Sequence, residues 1–348
     1  AYTAAFGESL PGVPATTDMH FRNGAMAFTY LGQAFARLAD AGTLGLDDKL
    51  SRWLPELPRA DAVTLRNLLT MTSGYADYVY QPAVLDGVNR DPFRQWTNAE
   101  LLKIGLDAGR VFDPGTNWSY SHTNYVILGE VLAKVTGKSV AQALDDLVLT
   151  PMGLTQTTDN DGTPRIPEPV LHAYTSERRG FLGVPAGTPF YEESTFWNPS
   201  WTTAAGAVET TTIADMTRSI EIVGAGTQVS PASYQAQVGP ALVGFGHPDP
   251  SGRCPVCRTM TKERHYGLGV VLMDDWVTQT KSFAGSGATT GYLPQKRLAV
   301  SVVTTYAPEA FDAQGDYANA STTIFSRLAG ALEPGLAPQS AAAVGAGS

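Results

Sequence analysis

The chain has 348 residues, of which 43% are hydrophobic and 16% are charged, and its formal net charge is −9. This length and composition are typical of a globular protein with one large or two modest domains. The negative charge argues against nucleic acid and anionic membranes as partners, and the sequence has no run of about 20 apolar residues that would predict a membrane span.

The first strong pattern is helical and covers Ala25–Ala41. Apolar side chains recur there at intervals of three and four residues and predict a buried face: Phe28, Leu31, Phe35 and Leu38. Gly42 follows at the position of a left-handed helix cap. Tyr2–Phe6 and His20–Arg22, which precede this helix, are predicted as short strands joined by a loop containing glycine and proline.

The middle of the chain is predicted to be largely helical. Capping residues and apolar periodicity predict helices at Thr64–Thr72, after Thr97 and Glu100, at Asn124–Val135, at Ser139–Leu149 and at Thr212–Ile222. Asn160–Phe196 is polar and rich in glycine and proline, and we expect it to form a surface loop.

Strand patterns return near the C-terminus at Gly267–Met273, Lys281–Ala284 and Arg297–Thr305, and an amphipathic helix is predicted over Tyr317–Leu332. This order predicts an α/β domain built from residues 1–50 and 260–332. A helical domain with loops, residues 51–259, is inserted between those two segments. Residues 333–348 are rich in alanine, glycine, serine and proline and are expected to be disordered.

Phe21, Arg22 and Gly24 precede the first helix, and the segment Gly42–Asp47 follows it. This frame resembles the nucleophile segment of the serine β-lactamase and penicillin-binding protein superfamily, in its branch of class C β-lactamases, DD-carboxypeptidases and esterases. The resemblance covers most of the chain. It implies a β-lactamase/transpeptidase-like α/β fold, in which helices flank an antiparallel sheet, an all-helical domain is inserted, and a cleft separates the two parts.

In that family the motif Ser-x-x-Lys opens the helix, whereas this chain has Ala25 and Phe28 at those positions. The serine attacks an acyl carbon, and the lysine, alone or with a tyrosine, helps to remove the serine proton. Ala25 has no nucleophilic atom and Phe28 has no basic one. The sequence also contains no other Ser-x-x-Lys and no Gly-x-Ser-x-Gly. We therefore predict that the family's acyl-serine mechanism is absent.

The segment Tyr120-Ser121-His122 resembles the second motif of the family, Tyr-x-Asn. Without a cation at residue 28, the sequence shows nothing that lowers the pKa of Tyr120, so we expect Tyr120 to donate a hydrogen bond. Because imidazole exchanges protons near neutral pH, His122 is a candidate acid or base. The alternative is that His122 only packs within a turn. Tyr120 and His122 are the predicted catalytic residues.

The segment Gly285-Ser286-Gly287, followed by Gly291-Tyr292, resembles the third motif, Lys-Thr-Gly or His-Thr-Gly and then Gly-Tyr. Gly285 holds the position of the cation. Ser286 alternates to the opposite face of the strand, which argues against a nucleophilic role. The predicted ligand-binding residues, which include a tryptophan of the expected cleft wall, are Ala25, Phe28, Trp201, Gly285, Ser286, Gly287 and Tyr292.

Cys254 and Cys257 lie in a loop flanked by His247 and His265. Four such side chains could bind zinc, but their spacing matches no standard zinc module. A local disulfide or two free thiols is the favoured interpretation, and no metal or cofactor is predicted.

Three functions remain open. The first is a repurposed cleft that binds an apolar small molecule or catalyses its proton transfer, cyclisation or isomerisation without a covalent intermediate. The second is a pseudoenzyme that binds a peptide or a cell-wall fragment. The third is a serine hydrolase, namely an esterase, DD-peptidase or β-lactamase, with an unrecognised nucleophile. The sequence begins at Ala1, which indicates a processed or an incomplete chain, and the family resemblance favours an exported protein.

Overall fold

The computed structural model describes residues 1–159, 162–312 and 314–338. Its strands, in chain order, are β1 (Glu8–Leu10), β2 (Val13–Pro14), β3 (Phe21–Arg22), β4 (Thr158–Asp159), β5 (Tyr174–Thr175), β6 (Glu192–Glu193), β7 (Glu209–Thr211), β8 (His265–Tyr266), β9 (Val271–Met273), β10 (Trp276–Phe283), β11 (Ser286–Leu293) and β12 (Leu298–Thr305). Its α-helices are α1 (Met26–Asp40), α2 (Leu65–Leu69), α3 (Pro82–Arg90), α4 (Asn98–Asp107), α5 (His122–Thr136), α6 (Val140–Leu144), α7 (Thr150–Met152), α8 (Ile213–Ala225), α9 (Pro231–Val238) and α10 (Ser321–Leu332).

The largest sheet is antiparallel throughout, with the strand order β12-β11-β10-β9-β8. A two-residue turn, Ala284 and Gly285, joins β10 to β11, and both residues have positive φ angles of 29° and 80°. Glycine adopts such angles without strain, and paired positive angles suit a tight hairpin. Phe283 pairs with Ser286 across this hairpin, and Lys281 pairs with Ala288. Because side chains alternate along a strand, Lys281 and Ser286 project from the same face of the sheet.

Helix α1 runs through the core of the protein. Nearly every side chain from Met26 to Leu38 is buried, so the burial extends beyond the predicted apolar face. The helix contacts β10 on the sheet and helices α5, α6 and α9, which explains why it is covered on several sides. The start of α1 therefore lies where the sheet and the helices meet.

A smaller three-stranded sheet, in the order β3-β7-β4, fixes the approach to α1. Phe21 pairs with Thr211, and Arg22 pairs with Thr210. The side chain of Asn23 then donates to the buried carboxylate of Glu209 at 2.9 Å. These contacts hold the residues immediately before the helix in one position.

The fold class and the capping signals of the sequence are confirmed. Thr64, Thr97, Ser139 and Thr212 each accept a hydrogen bond from the first turn of the helix that follows. Gly42 lies just beyond α1 with a φ of 70°, as predicted. The division into domains at residues 50 and 260 stays a prediction, although α8 packs directly on β11 and β12.

Other expectations are wrong in detail. Tyr2–Phe6 is not a strand, and the first hairpin instead pairs β1 with β2. The helix expected at Thr64–Thr72 ends at Leu69, because Met71 has a positive φ of 63° that cannot continue a helix. The sequence patterns predict neither α3 nor α9. The segment expected to be a surface loop, Asn160–Phe196, contains β5 and β6, and several of its side chains are buried. Residues 339–348 of the expected tail lie outside the described residues.

Candidate functional site

Ala25 precedes the first turn of α1 as its N-cap residue, is half-buried, and provides no side-chain cap. Gly24, just before it, has a φ of 56°, and a Cβ atom added there would lie 2.4 Å from Cγ of Lys281. Only glycine fits this position, because the lysine side chain crosses directly over the backbone. The entry to α1 is thus built around Lys281, which comes from β10.

Phe28 lies one helical turn after Ala25 and is only 2% exposed. Its ring stacks on Tyr125, with centroids 4.0 Å apart and planes inclined by 17°. The same ring meets Tyr120 at 5.7 Å and the edge of His122 at 5.5 Å. We call these four residues the aromatic cluster. Offset aromatic contacts at such distances are favourable, so Phe28 completes a packed apolar wall.

His122 is held by a buried carboxylate. Its Nδ1 atom lies 2.9 Å from Oδ2 of Asp77, whose side chain is 3% exposed, whereas the histidine side chain is 20% exposed. Oδ1 of Asp77 accepts a second hydrogen bond from the backbone N–H of Val79 at 3.0 Å. Because a carboxylate can only accept, Nδ1 carries a proton, and in the neutral form of this tautomer Nε2 has a lone pair. This is the arrangement of an oriented general base.

Tyr120 packs against the edge of His122, with ring centroids 5.2 Å apart. Burial raises the pKa of Tyr120 well above its usual value, and Tyr266 and Asp77 raise it further. The phenol therefore stays protonated at neutral pH, so that Tyr120 can donate a hydrogen bond but cannot serve as a base.

The structure separates the members of the third motif. Gly285 lies in the β10–β11 turn, and its N–H donates to the hydroxyl of Tyr317 at 2.9 Å. Gly287 faces Asn319, since a Cβ atom there would lie 2.4 Å from the asparagine side chain. Ser286 faces the opposite side, where its hydroxyl accepts a hydrogen bond from Nζ of Lys281 at 2.6 Å.

The sequence motifs do not indicate Lys281 as a site residue. In the structure its side chain is 4% exposed and forms part of the core of the site. Burial, together with the like charge of Arg22, lowers its pKa to about 7. Its Nζ atom also lies 5.2 Å from the ring centroid of Phe21, which is within cation–π range. The sequence signal for Lys281 is its position at every second residue with Val277, Gln279 and Phe283, which places these side chains on one face of a strand.

Two other predicted residues lie apart from the aromatic cluster. Trp201 is half-buried and stacks on Phe283, with ring centroids 5.9 Å apart and planes inclined by 16°. Tyr292 packs against Gly224 of α8, where an added Cβ atom would lie 2.5 Å from the tyrosine ring. Trp201 therefore borders the Lys281 side of the site, and Tyr292 supports the sheet.

Two cavities lie close to these residues. One, of about 190 Å³, is lined by Tyr266, Leu242, Phe245 and polar residues of α2. The other, of about 20 Å³, is lined by Arg22, Lys281, Ser286 and neighbouring side chains. Phe28 and His122 line neither of the two, so neither cavity lies at the aromatic cluster.

Cys254 and Cys257 form a disulfide, which is one of the two alternatives favoured by the sequence. Within the described ranges, no group of three or more His, Cys, Asp or Glu side chains is arranged to hold a metal ion. No helix in the part of the chain that the structure describes is both long and apolar enough to cross a bilayer.

The antiparallel sheet, the central helix and the inserted helices define a β-lactamase/transpeptidase-like fold. A family model described as Beta-lactamase matches residues 1–323, and the chain belongs to this family. Among solved structures, D-amino acid amidase from Ochrobactrum anthropi SV3 has a TM-score of 0.74 at 22% identity, covering 94% of this chain and 89% of that one. A D-stereospecific amidohydrolase from Streptomyces sp. has a TM-score of 0.69 at 22% identity, covering 86% and 84%. At such identities these two likenesses show the fold alone.

Curated relatives match a smaller part of the chain. Penicillin-binding protein 4 of Amycolatopsis lactamdurans is 37% identical over 152 residues, which cover 42% of this chain and 38% of the relative. Esterase EstB of Burkholderia gladioli is 34% identical over 157 residues, covering 41% and 39%. The chain therefore matches well under half of the length of either relative.

Proposed function

We propose that this member of the Beta-lactamase family does not form an acyl-serine at residue 25, and that its cleft binds an apolar small molecule and moves a proton through His122. The observation that carries the proposal is the hydrogen bond between His122 Nδ1 and the buried carboxylate of Asp77. The buried carboxylate orients the imidazole, and the 20% exposure of the histidine side chain leaves it partly accessible to a ligand.

The side chains at the start of α1 support the first part of the proposal, that no acyl-serine forms at residue 25. Ala25 has no hydroxyl, and Phe28 places a ring where the family resemblance puts an amine. That ring is packed against Tyr125 and is almost fully buried. The names of the relatives, among them a penicillin-binding protein and an esterase, indicate hydrolytic chemistry, but this site lacks the two groups on which such chemistry depends.

The second part of the proposal, that the cleft binds a ligand and His122 moves a proton, follows from the chemistry of the remaining groups. Nε2 of His122 takes a proton from a ligand, and the negative charge of Asp77 stabilises the imidazolium that forms. Tyr120 stays protonated and stabilises negative charge that develops on a ligand oxygen. The rings of Phe28 and Tyr125 provide an apolar wall. These groups suit proton transfer or isomerisation next to a carbonyl in an apolar ligand.

A second candidate is a pseudoenzyme that binds a peptide or a cell-wall fragment. The burial of Phe28 favours this candidate, because the ring fills space that a reacting ligand would otherwise occupy. The serine hydrolase alternative would use Ser286, which is hydrogen-bonded to Lys281. Its adjoining cavity of about 20 Å³ has room for one small group but not for both sides of an ester, so we do not favour that alternative.

Solvent exchange tests the proposal without a known substrate. The protein is incubated in D₂O with a panel of small aromatic and aliphatic ketones, and loss of the α-proton signal is followed by NMR. We expect exchange of at least one ketone to fall about a hundredfold or more in His122→Ala. The matched control is His172→Ala, which disrupts a second histidine–carboxylate pair, with Glu193, outside the cleft.

Two other outcomes decide between the candidates. Equal exchange rates in the wild type and in His122→Ala would remove His122 from the mechanism. Binding of a ketone or peptide without any exchange, unaffected by Asp77→Asn, would establish the binding-only candidate instead.

A further inference from the structure

Two buried cations lie side by side, and no carboxylate among the described residues pairs with either of them. Arg22 is 3% exposed and Lys281 is 4% exposed. The arginine donates from Nη2 to the carbonyl oxygens of Pro164 and Trp197, at 2.9 and 3.2 Å. Its Nε and Nη1 atoms are buried and, among the described residues, have no hydrogen-bond partner. Three polar hydrogens of one guanidinium therefore lack an acceptor.

Lys281 also lacks an anionic partner among the described residues. Its single hydrogen-bond partner among the described residues is the neutral hydroxyl of Ser286. The charge that acts on it most closely is Arg22, which is of the same sign, and burial and this repulsion both lower its pKa. Burial alone lowers the pKa of Arg22. Uncompensated buried charges are strongly unfavourable, and an anion beside the two cations would compensate them.

The two side chains line one cavity of about 20 Å³ together with Ser286, Phe21 and Phe283. The enclosed space of about 20 Å³ holds one water-sized group, so a carboxylate would place one oxygen there and extend towards the opening of the cavity. The aromatic rings of Phe21 and Phe283 form part of the wall, and the serine hydroxyl can rotate to donate to an anion. Low polarity around two cations strengthens their attraction for a negative charge.

The local backbone is shaped to admit the lysine. Gly24 leaves the space that Cγ of Lys281 occupies, and the tight turn at Gly285 sets Ser286 opposite Phe283. We propose that this cavity, the Arg22–Lys281 pocket, binds one monovalent anionic group of carboxylate size. The group is either a free small anion or the carboxylate end of a ligand that extends out of the pocket. The proposal does not use His122 and stands independently of the proposed function.

Thermal unfolding of the full chain tests this pocket, with sodium formate titrated at constant ionic strength. We expect formate to raise the Tm of the wild type in a saturable manner. Lys281→Met keeps the length of the side chain but removes its charge, and it should weaken the apparent affinity at least tenfold. The matched control is Lys103→Met, because Lys103 is exposed and pairs with Asp107. Ser286→Ala provides a second, milder variant that should weaken binding less.

The size of the anions that bind distinguishes a free small anion from the carboxylate end of a larger ligand. Saturable binding of propionate and phenylacetate, lost in Lys281→Met, identifies the carboxylate end of a larger ligand. Saturable binding of formate or bromide alone identifies a free anion. An unchanged Tm with every anion, or equal affinity in the wild type and in Lys281→Met, overturns the proposal. A crystal soaked in bromide gives a check that needs no variant, because the anomalous peak must lie between Arg22 and Lys281.

Discussion

Asp77 and His122 lie 45 positions apart in the chain, yet Oδ2 of the aspartate accepts a 2.9 Å hydrogen bond from Nδ1 of the histidine. The aspartate follows the turn after α2, and the histidine opens α5. Thr123, next to His122, reinforces the contact by donating from its hydroxyl to the carbonyl of Ala76 at 2.6 Å. Neighbouring backbone and side-chain bonds thus hold the imidazole in one orientation, as an oriented base requires.

Removing the charge of Asp77 should affect turnover more than binding. Asp77→Asn keeps one acceptor oxygen, which can still accept from the N–H of Val79 so that the turn persists, and it places an uncharged NH2 group opposite His122. The imidazolium loses its counter-charge, and we expect proton exchange on a responsive ketone to fall about tenfold or more. NMR exchange rates measured below and above saturation separate the two effects. An unaltered rate at saturation would show that Asp77 is only structural.

Restoring the serine alone should not restore acylation. Ala25→Ser adds a hydroxyl at the start of α1, but Phe28 supplies no base to remove its proton. After incubation with a fluorescent penicillin, we expect no adduct in the intact mass of either the wild type or Ala25→Ser. An adduct that maps to the first turn of α1 in the single variant would show that another base, such as His122, already acts there.

The double variant Ala25→Ser/Phe28→Lys should gain a trace of acylation but lose stability. It buries an ammonium in the space of a ring that stacks on Tyr125, and an uncompensated buried charge costs roughly 3 to 5 kcal/mol. Urea unfolding measures this loss, and Ala25→Ser serves as the control with little change. Wild-type stability in the double variant would mean that the lysine finds an anionic partner in the cleft.

Phe28 itself should contribute strongly to stability. The ring is 2% exposed and contacts three other rings, so Phe28→Ala removes both buried area and aromatic contacts. We expect the free energy of unfolding to fall by about 3 to 5 kcal/mol, measured by urea unfolding. Phe93→Ala, at an exposed position, is the control and should cost far less. A loss as small as that of the control would indicate an open cleft that water already fills.

The first turn of α1 could be predicted from the sequence because local motifs specify it, whereas α5 begins at His122 and not at the predicted Asn124. Ala25 and Phe28 are spaced by one helical turn, so their common face follows from the helix alone. The presence of Asp77 beside His122 could not be predicted in this way, since it depends on how two distant elements pack. Lys281 was missed for a related reason: its partner Ser286 is defined only once the turn at Ala284 and Gly285 sets the register of the hairpin.

Lys281 should make stability depend on pH. The pKa of an ordinary, solvent-exposed lysine is 10.5, and that of Lys281 in the folded protein is about 7. Between these two values the unfolded chain binds the proton and the folded chain does not, so the free energy of unfolding rises with pH, by up to about 1.4 kcal/mol per unit. Below pH 7 Lys281 is protonated in both the folded and the unfolded state, and the full cost of burying its charge lowers the free energy of unfolding.

Urea unfolding of the wild type and Lys281→Met at about pH 6, 7.5 and 9, in buffers without added carboxylate, tests this linkage. We expect Lys281→Met to be more stable than the wild type at the lowest pH, because it removes the buried charge. That advantage should shrink as the pH rises and Lys281 loses its proton. Lys103→Met should follow the wild type at every pH, since the exposed ammonium of Lys103 is not buried on folding. Parallel curves for the wild type and Lys281→Met would mean that Lys281 keeps an ordinary pKa in the folded state, and that an anion already neutralises it.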